Sequence, residues 1–255
     1  MIESLFSLLF YYKEYRTDLL MFFNYIMNLR NITVIDENFA QADLEFIKPI
    51  TLHDMYSFIS YCQKSLNSSP GTRARKIVSI RQFWKYLKTK AHLIDNNIAE
   101  ELETPKLPKR IPKYLNLEES VRLLLECKKS PRDHCIITIF LNCALRLSEL
   151  TSLNIDQVYN DILTVVGKGN KERTVYLNKA CIKTLNDYLN VRKEMGEKIV
   201  DKDALFLSKN YTRINKRSVE MLVKKYVKKA GLDGEKYSPH KLRHSATCCY
   251  LKRIA

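Results

Sequence analysis

The sequence lacks the features that mark several common protein classes. Its seven cysteines include no C-x-x-C pair, which disfavours a zinc site or a disulfide framework and predicts reduced, mostly buried thiols in a cytoplasmic protein. No apolar run is long enough to span a membrane. The apolar segment 5–12 lacks the basic flank and the small-residue cleavage site of a secretory signal. These absences leave a globular protein of one or two domains as the expectation for 255 residues.

Acidic residues are scarce relative to basic ones. The chain has 43 lysine and arginine residues against 28 aspartate and glutamate residues, a formal net charge of +15. The excess is uneven, because residues 71–90 contain seven basic residues and no acidic one, whereas acidic residues outnumber basic ones in 1–70. Such patches indicate a polyanionic partner, with nucleic acid first and an anionic membrane surface second. A solvated lysine-rich face is the alternative for any single patch.

The first ninety residues carry helical patterns. We predict helices over 4–28, 51–64 and 70–88, the second starting at the capping candidate Thr51. In the third, apolar residues recur at helical spacing, and Trp84 is assigned to the core. The remaining positions of this helix are predicted to form a basic outer face that contacts the phosphate backbone of DNA. The DNA-contacting residues predicted there are Arg73, Arg75, Lys76, Arg81 and Lys85.

Residues 96–113 differ in composition from what precedes them. Three prolines stand there among basic residues that include Lys109 and Arg110. Prolines break helices, and the basic residues suit an extended linker that crosses DNA, although a plain surface loop would have the same composition. We therefore predict a helical domain over 1–95, a basic linker over 96–113 and a second domain over 114–255.

The second domain is predicted to be helical apart from one β-hairpin. A buried helix over 135–141 leads into 144–153, and further helices cover 178–192 and 218–230. Apolar residues alternate on both sides of a glycine- and asparagine-containing turn at 167–172, which indicates a hairpin. The predicted fold class is mainly α with a small β-sheet.

Four side chains in this domain suit the binding of a phosphate group. Arg146 follows the buried helix, Lys168 lies in the hairpin turn, and His240 and Arg243 stand one helical turn apart just inside a helix start at Ser238. Two arginines can hold non-bridging phosphate oxygens and neutralise charge in a phosphoryl-transfer transition state. A lysine can donate a proton to a leaving oxygen, and His240 can assist proton transfer or hydrogen-bond the phosphate.

Two other interpretations of these residues have less support. His240 and His244 share a helix face, but the glutamate of an H-E-x-x-H motif and an obvious third metal ligand are missing. Gly167-Lys168-Gly169 lacks the spacing of a nucleotide-binding phosphate loop. Neither a metal site nor nucleotide hydrolysis is predicted.

Segments 144–150, 165–173 and 238–244 carry a family resemblance. Their sequences and their order resemble those of the tyrosine recombinases, also called the phage integrase family, and most closely the Xer-like members. The resemblance implies a SAM-like helical core-binding domain and a mixed α/β catalytic domain that clamp a double-stranded DNA recombination site. It also implies a homo- or hetero-tetramer on DNA, no membrane partner, and strand cleavage and rejoining without ATP or a required cofactor.

The resemblance also implies roles for individual residues. Arg146, Lys168, His240 and Arg243 match the catalytic set, with Lys168 preferred over the neighbouring DNA-contacting Lys171. Glu149 is expected to be structural, pairing with Arg146 or a helix end. Ala144 stands where the family usually has glycine.

The match departs from the family at one point. Family members continue some thirty residues beyond the second arginine and there supply the tyrosine that attacks DNA to form a 3′-phosphotyrosyl link. The sequence contains no nucleophile box of this kind, and Tyr250 occupies the place of a core apolar residue. We therefore expect a truncated site-specific recombinase or integrase that is unable to cleave DNA alone. The alternatives are a non-catalytic DNA-binding remnant that occupies recombination sites and a basic helical protein unrelated to recombination.

Overall fold

Helices with well-formed caps make up most of the described structure. The computed structural model describes residues 15–32, 44–108, 114–167, 169–234 and 236–254, with side chains as far as residue 246. The chain divides into two compact units, Met1–Arg110 and Ile111–Ala255. In the described ranges, no helix combines the length and apolarity needed to cross a bilayer.

The first unit is helical. Its α-helices are α1 (Arg16–Leu29), α2 (Leu44–Ile47), α3 (Leu52–Lys64) and α4 (Pro70–Thr89), followed by a 3₁₀ turn at Ile98–Glu101. Thr51 and Asp54 form a reciprocal capping box at the start of α3, as the capping prediction requires. Ser69 caps α4, and Pro70 occupies its first position. The short helix α2 was not predicted, and residues 4–14 of the first predicted helix lie outside the described ranges.

Aromatic side chains fill the core of this unit. Phe22 contacts Phe58 and Trp84 edge-on, with ring centroids 5.2 and 5.8 Å apart. Trp84 is 2% exposed, which confirms its assignment to the core. Edge-to-face contacts of this kind add to the free energy gained by burying the rings.

The second unit packs helices around a buried central one. Its helices are α5 (Leu117–Cys127), α6 (Pro131–Cys143), α7 (Leu147–Ser152), α8 (Lys179–Glu194), α9 (Lys216–Lys229) and α10 (Pro239–Ile254). Helix α6 packs against α5, α8 and α10, and eight of its residues are buried. The five cysteines with described side chains in the two units are buried, as predicted.

A small antiparallel sheet lies in this unit. Strands β1 (Val158–Tyr159), β2 (Ile162–Val166) and β3 (Glu172–Tyr176) are arranged in the order β1-β2-β3. The β2–β3 pairing sets Val165 opposite Arg173 and Val166 opposite Glu172. The predicted hairpin and the mainly helical fold class are both confirmed.

Candidate phosphate-binding site

Arg146 is positioned by a break between two helices. Helix α6 ends at Cys143, and Ala144 adopts a left-handed conformation with φ of 50°. The turn separates the helix predicted over 135–141 from the segment 144–153 that follows it, and α7 begins only at Leu147. The left-handed conformation favours glycine, so a residue with a side chain such as Ala144 is strained at this position. Buried Leu145 anchors the turn, and the Arg146 side chain is 51% exposed.

Glu149 holds Arg146 from the interior. Its side chain is 3% exposed, and it accepts hydrogen bonds from the Arg146 backbone nitrogen at 2.6 Å and from Arg146 Nη1 at 2.7 Å. A second arginine, Arg173 of β3, donates to both carboxylate oxygens at 2.8 and 2.9 Å. Burial by itself would raise the pKa of Glu149, but the hydrogen bonds from Arg173 and Arg146 outweigh it and lower the pKa to about 2. The expected pairing of Glu149 with Arg146 is present, and Arg173 is an addition to it.

The hairpin turn approaches the same carboxylate. Gly167 donates a 2.8 Å backbone hydrogen bond to Lys171, and a side chain at Gly167 would lie 3.6 Å from Glu149 Oε1. Gly169 and Asn170 both have positive φ, at 77° and 58°, as tight hairpin turns require. The predicted catalytic lysine, Lys168, lies outside the described residues, while Lys171 is exposed.

The start of α10 supplies His240 and Arg243. The helix begins at Pro239 directly after Ser238, as predicted, and fully buried Leu242 fixes this turn in the core. Burial lowers the pKa of Arg243, and the like charges of Arg146 and Arg173 lower it further, against an opposing effect of Glu149. The two predicted arginines and the Glu149 pair therefore belong to one electrostatic cluster.

His240 is paired with its neighbour on the helix. Its Nε2 lies 3.1 Å from Nε2 of His244, so one of the two rings must donate and the other accept. Burial lowers the pKa of His240, as do the charges of His244, Arg243 and Lys241. The neutral form of His240 is favoured in the absence of an anion.

Arg146, His240 and Arg243 line a single cleft of about 760 Å³ in the second unit. Lys216 and Lys224 of α9 also line the cleft. Neither lysine was predicted from the sequence to belong to the site. Basic side chains outnumber acidic ones along its walls, so it suits an anionic group such as a phosphate.

Sequence reasoning missed three cationic side chains at or behind this cleft. Lys216 stands in the first turn of α9, where a cation is unfavourable next to the positive end of the helix dipole unless an anion is near. That placement was a usable signal in the sequence. The signal in the sequence was weaker for Arg173, because its contact with Glu149 depends on the pairing of β3 with β2. Lys224, in the middle of α9, gave none.

The predicted DNA-contacting residues of α4 are not equivalent. Lys76 is 4% exposed and binds Asp18 Oδ1 at 3.1 Å, so its assignment to the outer face is wrong. The reason is that residues 76, 80, 83 and 87 share one side of the helix, and Asp18 of α1 compensates the buried charge.

The other four keep positions toward solvent. Arg75 is 53% exposed while also paired with Asp18, and Lys85 is exposed. Arg73 and Arg81 are half-buried and donate hydrogen bonds to the carbonyl oxygens of Ser68 and Glu100 respectively. Lys109 and Arg110 of the predicted linker lie outside the described residues.

Comparisons with known proteins identify the family that this chain resembles. The model of the phage integrase family matches residues 113–253. The tyrosine recombinase XerC of Caldanaerobacter subterraneus subsp. tengcongensis is 47% identical over 241 residues, which are 92% of this chain and 68% of that protein. The XerC protein of Natranaerobius thermophilus is 33% identical over 90% of this chain and 83% of its own length.

Solved structures give the same result for the fold. The XerH site-specific recombinase bound to difH substrate in a pre-cleavage complex is 25% identical, with a TM-score of 0.68 over 94% of this chain and 68% of that chain. A lambda integrase dimer bound to a COC' core site is 12% identical, with a TM-score of 0.62 over 92% of this chain and 90% of that chain, and shows the fold alone.

Proposed function

The chain belongs to the phage integrase family of tyrosine recombinases, and on that premise we propose that it binds a recombination site in duplex DNA and places one phosphodiester in the cleft of the second unit for strand transfer. The observation that supports this most directly is the convergence of Arg146, His240 and Arg243 on one cleft. Arg146 lies more than ninety residues before His240 and Arg243 in the sequence, so the three side chains meet only because the fold packs their helices together.

The proposed roles follow from the chemistry of the side chains. Arg146 and Arg243 bind the non-bridging oxygens and stabilise the negative charge on those oxygens in the transition state. His240 hydrogen-bonds the phosphate through whichever ring nitrogen carries the proton. We assign to Lys168 the donation of a proton to the leaving oxygen, which the family resemblance implies.

The proposed partner is double-stranded DNA. XerH is bound to difH substrate in its solved structure, and lambda integrase is bound to DNA in one solved structure and is a dimer on a COC' core site in another. The exposure of Arg75, which also pairs with Asp18, and of Lys85 on α4 supports the proposal that this helix contacts backbone phosphates. We also propose that several copies of the chain, up to a tetramer, assemble on paired recombination sites.

We further propose that the 255-residue polypeptide does not cleave DNA by itself. Among the tyrosines whose side chains are described, Tyr237 alone lines the cleft. It is 3% exposed, and its hydroxyl donates a 3.0 Å hydrogen bond to Glu119 Oε1. A buried hydroxyl with this partner is poorly placed to attack a phosphodiester as a nucleophile. Occupation of recombination sites without cleavage is therefore the second candidate function.

A nicked suicide substrate separates binding of the DNA from its cleavage. The 255-residue protein is expected to retard the DNA in a gel, with an affinity that falls steeply with salt, and to form no covalent adduct. A covalent adduct would overturn the non-cleaving proposal, and Tyr250→Phe and Tyr237→Phe variants would identify the residue responsible. An affinity that does not change with salt would contradict phosphate binding in the cleft. The same conclusion would follow if the double variant Arg146→Ala/Arg243→Ala bound the DNA as tightly as the wild type.

A further inference from the structure

Arg173 makes a contact through two hydrogen bonds with a carboxylate next to the cleft. Its Nη1 and Nη2 donate in parallel to Oε1 and Oε2 of Glu149, at 2.8 and 2.9 Å. A planar guanidinium facing a carboxylate in this way fixes both groups in distance and in orientation. Arg173 lies on β3 opposite Val165, near the end of the hairpin that carries the turn.

The same carboxylate determines where Arg146 points. Glu149 Oε2 accepts from the Arg146 backbone, and Oε1 accepts from its Nη1. One nearly buried side chain thus connects the hairpin to the turn before α7. If Glu149 moved, both the backbone and the guanidinium of Arg146 would lose their anchor.

The charges favour two arginines on this carboxylate. With Arg146 as its only partner, Glu149 would neutralise the cation that is proposed to meet the phosphate. A second cation shares the negative charge, so Arg146 together with Glu149 and Arg173 keeps a net charge of +1 beside the cleft. Positive charge next to the phosphate is what transition-state stabilisation requires.

We propose that Arg173 is a positioning residue, which fixes Glu149 and through it sets the orientation and the effective charge of Arg146. This role rests on the proposed function of Arg146, but the contact between Arg173 and Glu149 can be tested without DNA. Arg173 itself does not line the cleft.

The test uses the full chain and three variants. Arg173→Gln removes the cation, Arg173→Lys keeps it without the paired geometry, and Arg213→Gln is the matched control. Arg213 is 32% exposed against 37% for Arg173, and it binds Asp201, the Leu153 carbonyl and Asn154 instead. Thermal unfolding is recorded for each variant to show that it is folded.

The decisive measurement is the titration of the Glu149 carboxyl by ¹³C NMR. Arg173→Gln should raise the Glu149 pKa from about 2 toward its ordinary value of 4.5, and Arg173→Lys should raise it less. The hydrogen-bonded Nη1 resonance of Arg146 should broaden or disappear in Arg173→Gln and persist in Arg213→Gln. Arg243 is the further charged group that acts on this cluster, so its resonances are followed in the same spectra.

Each outcome decides between a positioning and a merely structural role. An unchanged Glu149 pKa in Arg173→Gln, an equal change in Arg213→Gln, or an unaltered Arg146 resonance would overturn the proposal. DNA affinity is measured separately: a wild-type chain that does not bind DNA contradicts the proposed function, while the Glu149 titration still decides the role of Arg173. In a binding-competent protein, Arg173→Gln should weaken DNA binding by a larger factor than Arg213→Gln.

Discussion

Nε2 of His240 lies 3.1 Å from Nε2 of His244, one turn further along the same helix. At this distance the two rings share a proton, so both cannot be doubly protonated without repulsion. The pair faces the cleft that also contains Arg146 and Arg243.

This pairing makes a prediction about pH. Because burial and the nearby His244, Arg243 and Lys241 lower the pKa of His240, its imidazole should titrate below 6.5 in the folded protein. The folded state then binds fewer protons than the unfolded one, so this residue reduces stability as the pH falls through 6.5 toward the lowered pKa. An NMR titration of the His240 imidazole measures this pKa, and His244→Gln should move the titration midpoint of His240 upward. A midpoint that stays in place in His244→Gln would contradict the pairing.

A second prediction concerns Glu149→Gln. The change leaves Arg146 and Arg173 without their anion, and the lowered pKa corresponds to at most about 3 kcal/mol, or about 2 kcal/mol once solvent screening of the partly exposed arginines is allowed for. Urea unfolding at pH 7 should show a loss of this size. Because the pKa of Glu149 is depressed, the contribution is complete above pH 4.5 and is lost as the pH falls toward 2. The difference between the two proteins should therefore shrink by more than half at pH 3.

Glu194→Gln serves as the control for this series, since Glu194 is exposed on α8. It should change the free energy of unfolding by less than about 0.5 kcal/mol at either pH. A difference between wild type and Glu149→Gln that stays constant from pH 7 to pH 3 would refute the assignment of an ionised, arginine-bound Glu149.

A third prediction concerns the buried ion pair of the first unit. Asp18→Asn removes the negative charge that faces Lys76, whose side chain is 4% exposed, and should destabilise the unit by about 3 kcal/mol or more. Fluorescence of Trp84, the single tryptophan of the chain, reports on this unit because the residue lies in its core. Combining Asp18→Asn with Lys76→Met should recover most of the loss, since no uncompensated lysine then remains.

Lys85→Met is the control for that cycle, because Lys85 lies on α4 but is exposed. It should alter the unfolding midpoint little, and it should fail to rescue Asp18→Asn. Rescue by Lys85→Met would show that a general charge effect is responsible rather than the Asp18–Lys76 pair.

A fourth prediction concerns Ala144. Its φ of 50° is strained for a residue with a side chain, so Ala144→Gly should stabilise the second unit by about 1 kcal/mol. Ala180→Gly, at an exposed position in the first turn of α8, should destabilise it by a smaller amount, because glycine is unfavourable in a helix and less so in its first turn than in its interior. Differential scanning calorimetry of both variants measures the two opposite shifts. Destabilisation by both would show that the turn does not need the left-handed conformation.

The sequence was sufficient for features that depend on neighbouring residues. The capping box at Thr51, the start of α4 at Ser69 and Pro70, and the hairpin around its glycine- and asparagine-containing turn are all local patterns, and all are present. The left-handed turn at Ala144 was not predicted, because an alanine gives no local signal for it.

The sequence by itself determined which residues could bind a phosphate and in what order they occur: Arg146, His240 and Arg243 could be recognised from their motifs. Only the tertiary structure decided that Lys76 turns inward to Asp18, that Lys216 and Lys224 join the cleft, and that Arg173 holds the glutamate behind Arg146. The physical reason is that helix caps and turns depend on short-range interactions. The placement of a charge depends instead on the partner that packing brings within hydrogen-bonding distance, often from far along the chain.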